Sequence, residues 1–464
     1  MNGRRTPADP DNRSDDRAPM RRRVVAASIV GSALEWYDYA LYGLASALVF
    51  NKLFFPALGT NVGTIASVAT FAVGFLARPL GGVVLGNLGD KRGRKFVMVT
   101  TLLMMGIATT LIGALPTYDS IGIWAPILLV LLRLCQGFGA GAEFGGAVVM
   151  SAEYAPPGRR GLFASTAQVG AEIGFLLSTA AFALVGTLPE SSLLAWGWRI
   201  PFLVGIVPVA AGLYLRLRVQ ETPEFRRVKG RGDEARVPIA ELLRTAPKQV
   251  LLAAGARLMD PPLGYLYTVF VTVYAVREVG VDKQTVLTGL LIASAAGIGT
   301  VAYFGHLIDR FGTKPIYLLA AAFAVLFAFP FYWLINTGQP IVICLALFLG
   351  TSIGKELNNA GQAAYLTEMF EPRVRLSGVS LARESVSAIG GLLPVIGLSL
   401  VTWVGGSYWP VALLMVVFGA VSFACIYVSK PVVSRVTRDT GTSDPDANAD
   451  AAAPYTYAKG GAGK

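Results

Sequence analysis

A polar ten-residue stretch occurs twice in this chain, each time between two long apolar runs. The first copy is Gly86–Lys95, and the second, Gly305–Lys314, follows at an offset of 219 residues with similar spacing. Each apolar run is expected to cross the membrane as a helix, because a spanning segment must satisfy its backbone hydrogen bonds internally. A short charged turn between two such runs is typical of membrane helices joined at the bilayer surface. The repeat therefore predicts a membrane protein built from two related halves.

The two copies share glycines, an aspartate and basic residues at matching positions. An aspartate near a helix end faces backbone N–H groups with partial positive charge, and a flanking arginine can pair with it or with a neighbouring helix. We therefore expect each turn to act as a conformational latch, weaker in the second copy because Thr313 replaces Arg94. The predicted latch residues are Gly86, Asp90, Arg92, Gly93 and Arg94 in the first copy and Gly305, Asp309, Arg310 and Gly312 in the second.

The composition supports a bilayer environment. Hydrophobic residues make up 54% of the chain, charged residues 15%, and the mean hydropathy is +0.55, whereas soluble domains carry about 25% charged residues. Because a span needs roughly 20 apolar residues, the sequence predicts an all-α integral membrane protein with about twelve transmembrane helices in two six-helix halves. The expected parts are disordered cytoplasmic termini (1–20 and 431–464), the halves (21–216 and 248–430) and a cytoplasmic linker (217–247).

A second repeated landmark supports the two-half organisation. The run Glu153–Arg160 is echoed by Glu368–Arg375 at an offset of 215 residues. The two offsets differ little, so the halves correspond over most of their length.

The net charge of +11 comes from basic residues whose positions along the chain indicate the membrane topology. Lysine and arginine crowd the N-terminal region, the two polar turns and the linker, while the alternate loops are nearly free of basic residues. Under the positive-inside rule both termini and the linker are cytoplasmic, which places a multi-pass protein in the plasma membrane. We expect contact with the lipid bilayer and no nucleic-acid partner.

The sequence suggests no cofactor. Cys135, Cys344 and Cys425 all fall inside apolar runs, without the paired spacing of a metal site or a disulfide. The sequence also lacks a nucleotide-binding loop. We expect no enzymatic activity and a chain that functions as a monomer.

Buried charges in the first half are candidates for function. Glu35 and Asp38 lie about 16 to 21 Å along the first helix, and their spacing of three places them on one face. Arg133 in the fourth span and Glu172 in the fifth are also at membrane depth, where a charge is costly and marks a functional site by default. The alternative is that the two carboxylates only bond neighbouring helices. Three aromatic residues accompany them: Trp36, Tyr39 and Tyr42.

The seventh and eleventh spans place charges in the second half. Arg257 and Asp260 are three residues apart and are expected to form an internal ion pair beside a proline kink. That kink fits either a transport site or a purely structural role. Arg383 and Glu384 are adjacent and point about 100° apart, so we expect them to need separate partners. Tyr265 and Tyr267 follow the kink and could line a cavity.

The tenth span adds polar side chains at membrane depth. Asn358 and Gln362 are four residues apart and share a helix face. Lys355 and Glu356 precede them, and we expect these two near the membrane surface.

Several motifs resemble the major facilitator superfamily. The two polar turns are similar to that family's loop between its second and third helices. The Glu35–Asp38 run followed by Phe54–Pro56 resembles the first helix of the metabolite:proton symporter branch, which includes shikimate, alpha-ketoglutarate and proline/betaine symporters. The Arg133–Glu143 run is similar to the family's fourth-helix motif, in which the arginine is linked to proton coupling. The resemblance implies a substrate site between the halves near the midplane.

The residues and the resemblance together predict import of a small metabolite, favoured as an organic anion such as shikimate or a di- or tricarboxylate, with a proton. A zwitterionic osmolyte symporter, an efflux antiporter and a membrane sensor or scaffold remain alternatives. The proton-coupling candidates are Asp38, Glu35, Arg133 and Glu172. The substrate-binding candidates are Arg133, Arg257, Asp260, Arg383, Trp36, Tyr39, Tyr42, Tyr265, Tyr267, Asn358 and Gln362.

Overall fold

A computed structural model describes residues 18–231, 237–390, 392–430 and 432, and this described part of the chain consists of helices and short connections. The all-α prediction is confirmed. The predicted disordered termini lie almost entirely outside the described residues. The segments that cross the bundle are α1 (Ala18–Ala45, continued by Ser46–Phe50 and Asn51–Phe54), α2 (Gly59–Arg92), α3 (Arg94–Ala114), α4 (Trp124–Tyr154), α5 (Arg160–Val185), α6 (Glu190–Arg218), α7 (Pro247–Ala256, Pro262–Phe270 and Val271–Arg277), α8 (Lys283–Phe311), α9 (Thr313–Ile335), α10 (Pro340–Glu368), α11 (Arg375–Gly390 and Leu393–Trp403) and α12 (Trp409–Val428).

Nine of the described segments are long and apolar enough to cross a membrane. Glu35 and Asp38 lower the hydropathy of α1, while α7 and α11 are divided into shorter helical pieces. These three segments, α1, α7 and α11, carry several of the predicted site residues, and others lie on the apolar spans α4, α5 and α10. Shorter helices connect the segments: Pro56–Leu58, Tyr118–Ile121, Pro223–Arg231 and Pro238–Thr245.

Glycine allows the helices of the first half to pack backbone to backbone. A Cβ added at Gly137 would lie 2.1 Å from the carbonyl oxygen of Gly74, and one at Gly141 would lie 2.2 Å from that of Arg78. Gly137 and Gly141 of α4 thus lie against α2. Gly174 places α5 equally close to α1. This close approach brings the charged side chains of α1, α2 and α4 together.

The two halves meet along two related pairs of helices, α2 with α11 and α8 with α5. Gly86 of α2 packs on Ser377 of α11, and Gly305 of α8 packs on Ser165 of α5. We call the end of the bundle that carries these contacts and the two polar turns the latch end.

Two expectations about local structure were wrong. Helix α1 begins at Ala18, inside the stretch predicted to be disordered, because a helix can extend past the apolar run into the polar region. Glu356 is fully buried and Lys355 is largely buried, although both were expected near the membrane surface. They lie where the π-helical stretch Phe348–Lys355 meets the regular helix.

Candidate functional site

Each polar turn places its aspartate against the first turn of a helix in the opposite half. Asp90 accepts hydrogen bonds from the backbone N–H groups of Leu376 at 3.2 Å and Ser377 at 2.8 Å. Asp309 accepts from Gly161 at 2.6 Å and Leu162 at 3.0 Å. In both contacts the acceptor is a carboxylate, whose negative charge is favourable beside the partial positive charge at a helix N-terminus.

A glycine makes the sharp turn after each aspartate. Gly93 has a φ of 109° and Gly312 a φ of 90°. Residues with a Cβ rarely adopt this region, so the repeated glycine is explained by the backbone that joins the two helices.

The two latches differ in their supporting contacts. Arg94 is fully buried, lies 3.2 Å from Asp90 and also donates to the carbonyl oxygen of Pro372. Thr313, at the matching position, donates to Glu368 at 2.6 Å. The outer residues Arg92 and Arg310 stay exposed over the rings of their neighbours, Phe96 and Phe311.

Arg375 connects the halves beside the first latch. Its guanidinium lies 2.9 Å from Glu153 and also bonds Glu224, which follows α6. Burial alone would raise the pKa of Glu224, but the positive charges of Arg375 and Arg160 outweigh burial and lower that pKa below its ordinary value of 4.5. Arg375 itself is buried.

At the centre of the bundle, an ion network crosses between the halves. Arg78 of α2 donates to Glu35 of α1 at 2.6 Å and to Glu384 of α11 at 2.9 Å. Arg383 pairs with its neighbour Glu384 and lies 3.9 Å from Glu35. The expectation that Arg383 and Glu384 need separate partners was wrong, because a long guanidinium side chain can fold back across adjacent helix positions.

The charged pair of α7 joins this network. Arg257 lies 2.9 Å from Asp260, and it donates to the backbone oxygen of Arg383. Gln362 accepts from Arg257 at 2.9 Å, and Asn358 donates to Asp260 at 2.9 Å. The two amides of α10 therefore position the ion pair of α7.

Arg133 reaches Asp38 only through a chain of hydrogen bonds. Its guanidinium donates to Gln136 at 3.2 Å, Gln136 donates to Thr109 at 2.6 Å, and Thr109 donates to Asp38 at 2.6 Å. The rings of Tyr42, Phe71 and Tyr39 lie 4.2 to 5.1 Å from the guanidinium carbon. Two of its nitrogens, Nε and Nη2, are buried without a hydrogen-bond partner.

Glu172 belongs to a second inter-half network. Lys355 of α10 lies 2.7 Å from Glu172 of α5 and 2.9 Å from Glu356. Asn359 donates to the far oxygen of Glu356 at 3.1 Å.

Most of the predicted aromatic residues gather near the central network. Tyr39 packs against Phe75 with ring centroids 4.7 Å apart, and Phe75 lies 6.4 Å from Tyr265 across the halves. Trp36 packs on Tyr39. Tyr267 instead packs on Phe331 inside the second half, so the structure does not place it with the others.

The partners of several charges could not be predicted from the sequence. Arg216, at the end of the first half, is buried and bonds Glu143. Each of these two buried charges thus has a partner of opposite sign. The Arg78–Glu384 contact joins residues 306 positions apart, and no local signal in the sequence indicates it.

Comparison with known proteins identifies the family. Residues 24–249 match the family model of "Sugar (and other) transporter". The shikimate transporter of Escherichia coli K12 is 38% identical over 85% of this chain and 91% of its own length. The chain belongs to the major facilitator superfamily. It is therefore a multi-pass membrane transporter and not an enzyme.

Other members of the superfamily agree with this assignment. The proline/betaine transporter of Escherichia coli K12 is 34% identical over 87% of this chain and 82% of its own length. The fold matches the proton:xylose symporter XylE bound to 6-bromo-6-deoxy-D-glucose with a TM-score of 0.72, at 15% identity over 88% of this chain and 95% of that one. The inward-open form of XylE, at 15% identity and the same coverage, gives a TM-score of 0.60.

Proposed function

We propose that this transporter imports a small organic anion together with a proton, by alternating access around the central network. The latch end faces the cytoplasm, and the six-helix halves, 21–216 and 248–430, rock against each other as units. The chain acts as a monomer in the plasma membrane. The 38% identity with a shikimate transporter supports a substrate of this class.

The observation that carries this proposal is the charge balance at the centre. Three guanidinium groups and three carboxylates make up the inter-half network, and Asp38 and Arg133 form a further balanced set. A buried net charge is costly at membrane depth. A monovalent anion that enters with one proton adds no net charge, so the complex can cross the membrane interior. The six groups are Arg78, Arg257, Arg383, Glu35, Asp260 and Glu384.

Asp38 and Arg133 are suited to couple proton and substrate. A buried carboxylate without a direct cation partner favours its protonated form, and an approaching guanidinium favours the ionised form. Arg133 has two unpartnered nitrogens and is held beside Asp38 by neutral groups. We infer that Arg133 moves toward Asp38 when the latch end opens and that Asp38 then releases its proton.

We infer that the structure is in a state in which the latch end is closed to the cytoplasm. Asp90, Asp309 and Arg375 bond the opposite half or its flanking segments, and the fold matches ligand-bound XylE better than inward-open XylE. The substrate therefore enters from the end opposite the latches and leaves after the latches open.

A zwitterionic osmolyte is the second candidate substrate. Tyr39, Phe75 and Tyr265 line the meeting point of the halves, and aromatic faces bind quaternary ammonium groups. The 34% identity with a proline/betaine transporter supports this alternative.

Uptake by purified protein in liposomes tests the proposal. Labelled shikimate, a dicarboxylate, citrate and betaine are each supplied with and without an inward proton gradient. We expect gradient-driven accumulation of one anion and its loss when a protonophore is added. Accumulation of betaine alone would support the osmolyte alternative, and accumulation that persists without the gradient would contradict proton coupling. Asp119→Asn, which changes an exposed carboxylate, is the matched control.

A further inference from the structure

A buried triad of charges lies apart from the central network, at the contact of α5 and α10. Lys355 bonds both Glu172 and Glu356, whose side chains are 8% and 0% exposed. Gly297 of α8 covers the two carboxylates, since a Cβ added there would lie 3.6 Å from Glu356 Oε1 and 3.7 Å from Glu172 Oε2. The triad therefore joins a carboxylate of the first half to an ion pair of the second.

The triad holds two carboxylates and one cation. The charged groups that contact Lys355 are Glu172 and Glu356, and Asn359 supplies only a neutral amide. Buried charges on the surrounding helices of the described chain have partners elsewhere: Glu35 with Arg78, Glu143 with Arg216, Arg257 with Asp260, Arg383 with Glu384, Asp38 with Thr109 and Arg133 with Gln136. The titratable groups of α8 and α9 nearest the latch end, His306, Asp309, Arg310 and Lys314, lie at the ends of those helices.

We propose that Glu172 and Glu356 share one proton in this closed state, which makes the triad a second proton-binding site. With both carboxylates ionised, the triad would carry one uncompensated negative charge at membrane depth. One shared proton removes that charge, and it belongs to the coupled pair and not to either residue.

Alternating access would move this proton across the membrane toward the cytoplasm. This inference rests on the proposed function. When the latch end opens, α5 and α10 separate, so Glu172 leaves a balanced Lys355–Glu356 pair and meets water. The proton then passes from the pair to the cytoplasmic solvent. Closure returns Glu172 to the triad, and a proton from the opposite side restores neutrality. Each cycle thus imports one proton in addition to the proton on Asp38.

A second proton changes the charge moved in each cycle. One monovalent anion with one proton is electroneutral, whereas the same anion with two protons moves one positive charge inward. Uptake of labelled shikimate into wild-type liposomes, without a pH gradient, should therefore increase severalfold when the interior is made negative. Glu172→Gln leaves a balanced pair, so the ratio of its uptake rates with and without a negative interior should fall to about one. The proposal would be overturned if the wild-type uptake rate did not change with voltage, or if the uptake rate of E172Q still increased with a negative interior.

Infrared difference spectroscopy tests the shared proton without any substrate. The absorption of protonated carboxyl groups is compared at neutral pH between folded wild-type protein, E172Q and Glu356→Gln. Either variant should lose one protonated-carboxyl signal, because each leaves a single carboxylate paired with Lys355, while Asp119→Asn should lose none. An undiminished signal in both variants would refute the second site. This result stands even when no tested anion is transported, so failure of the triad and failure of the proposed function are distinguishable.

Discussion

Asp90 and Asp309 occupy matching positions in the two halves, and each accepts two backbone N–H groups from the first turn of a helix in the other half. The two contacts are related by the internal repeat but are not equally buried. Asp90 is 2% exposed and has Arg94 beside it, while Asp309 is only partly buried. The same aspartate-to-helix contact therefore occurs twice, once in a buried and once in a partly exposed setting.

Replacing Asp90 with asparagine should favour the state in which the latch end is open. The change removes a negative charge from a helix N-terminus, an interaction of about 1–2 kcal/mol in a buried setting, and shifts the equilibrium about 5- to 30-fold. The measurement is the labelling rate of the cysteine introduced by Ser377→Cys, a position buried against α2, in a protein whose three native cysteines are replaced by serine. Asp309→Asn should give a smaller increase. Equal labelling of the parent and D90N proteins would contradict the latch.

Arg133→Lys should reduce proton-driven uptake by about tenfold or more. Three aromatic rings surround the planar guanidinium, and a desolvated cation–π contact contributes about 2 kcal/mol. Lysine keeps the charge but lacks the planar shape that the rings hold. Initial uptake rates in liposomes are the readout, and Arg277→Lys at an exposed position is the control. Wild-type rates for R133K would assign Arg133 to structure alone.

Gly174→Ala should destabilise the first half by about 1–3 kcal/mol or more. The added Cβ would lie 2.0 Å from the backbone oxygen of Ala33, so α1 and α5 must move apart. Gly299→Ala is a matched control in α8, because an added Cβ there meets nothing within 4 Å. Thermal unfolding in detergent should show a lowered Tm for G174A and an unchanged or higher Tm for G299A. Similar behaviour of the two variants would refute the α1–α5 packing.

Glu224→Gln should lower the Tm at neutral pH, with a difference from wild type that shrinks in acid. The pKa of Glu224 is lowered in the folded protein because Arg375 and Arg160 outweigh burial. Its stabilising contribution is therefore present above the ordinary pKa of 4.5 and is lost as the pH falls through the folded-state pKa. Tm profiles from neutral to acidic pH give the test, with Glu371→Gln as an exposed control. A difference that grows in acid would have the wrong sign.

The fold could be predicted because its signals are local. Apolar runs and the two repeated turns each depend on residues close in sequence. The same holds for Arg257 and Asp260, whose spacing of three predicts the ion pair found in the structure.

The inter-half contacts could not be predicted in the same way. Arg78 meets Glu384, and Lys355 meets Glu172, only because α2 packs on α11 and α10 on α5. The partner of Arg216 could not be predicted either, because a basic residue near a helix end has the same local pattern whether it faces the cytosol or bonds a buried Glu143. Partner identity depends on which helices pack together, and that information is distributed over the chain.

Proton movement caused by the substrate itself tests the central claim most directly. Proteoliposomes with equal pH on both sides receive the anion that the uptake screen identifies, and the external pH is recorded. The account predicts alkalinisation of the external medium with the wild-type protein. With Asp38→Asn it predicts a smaller alkalinisation, while exchange of labelled for unlabelled anion continues. Anion entry without any change in external pH would contradict proton-coupled import.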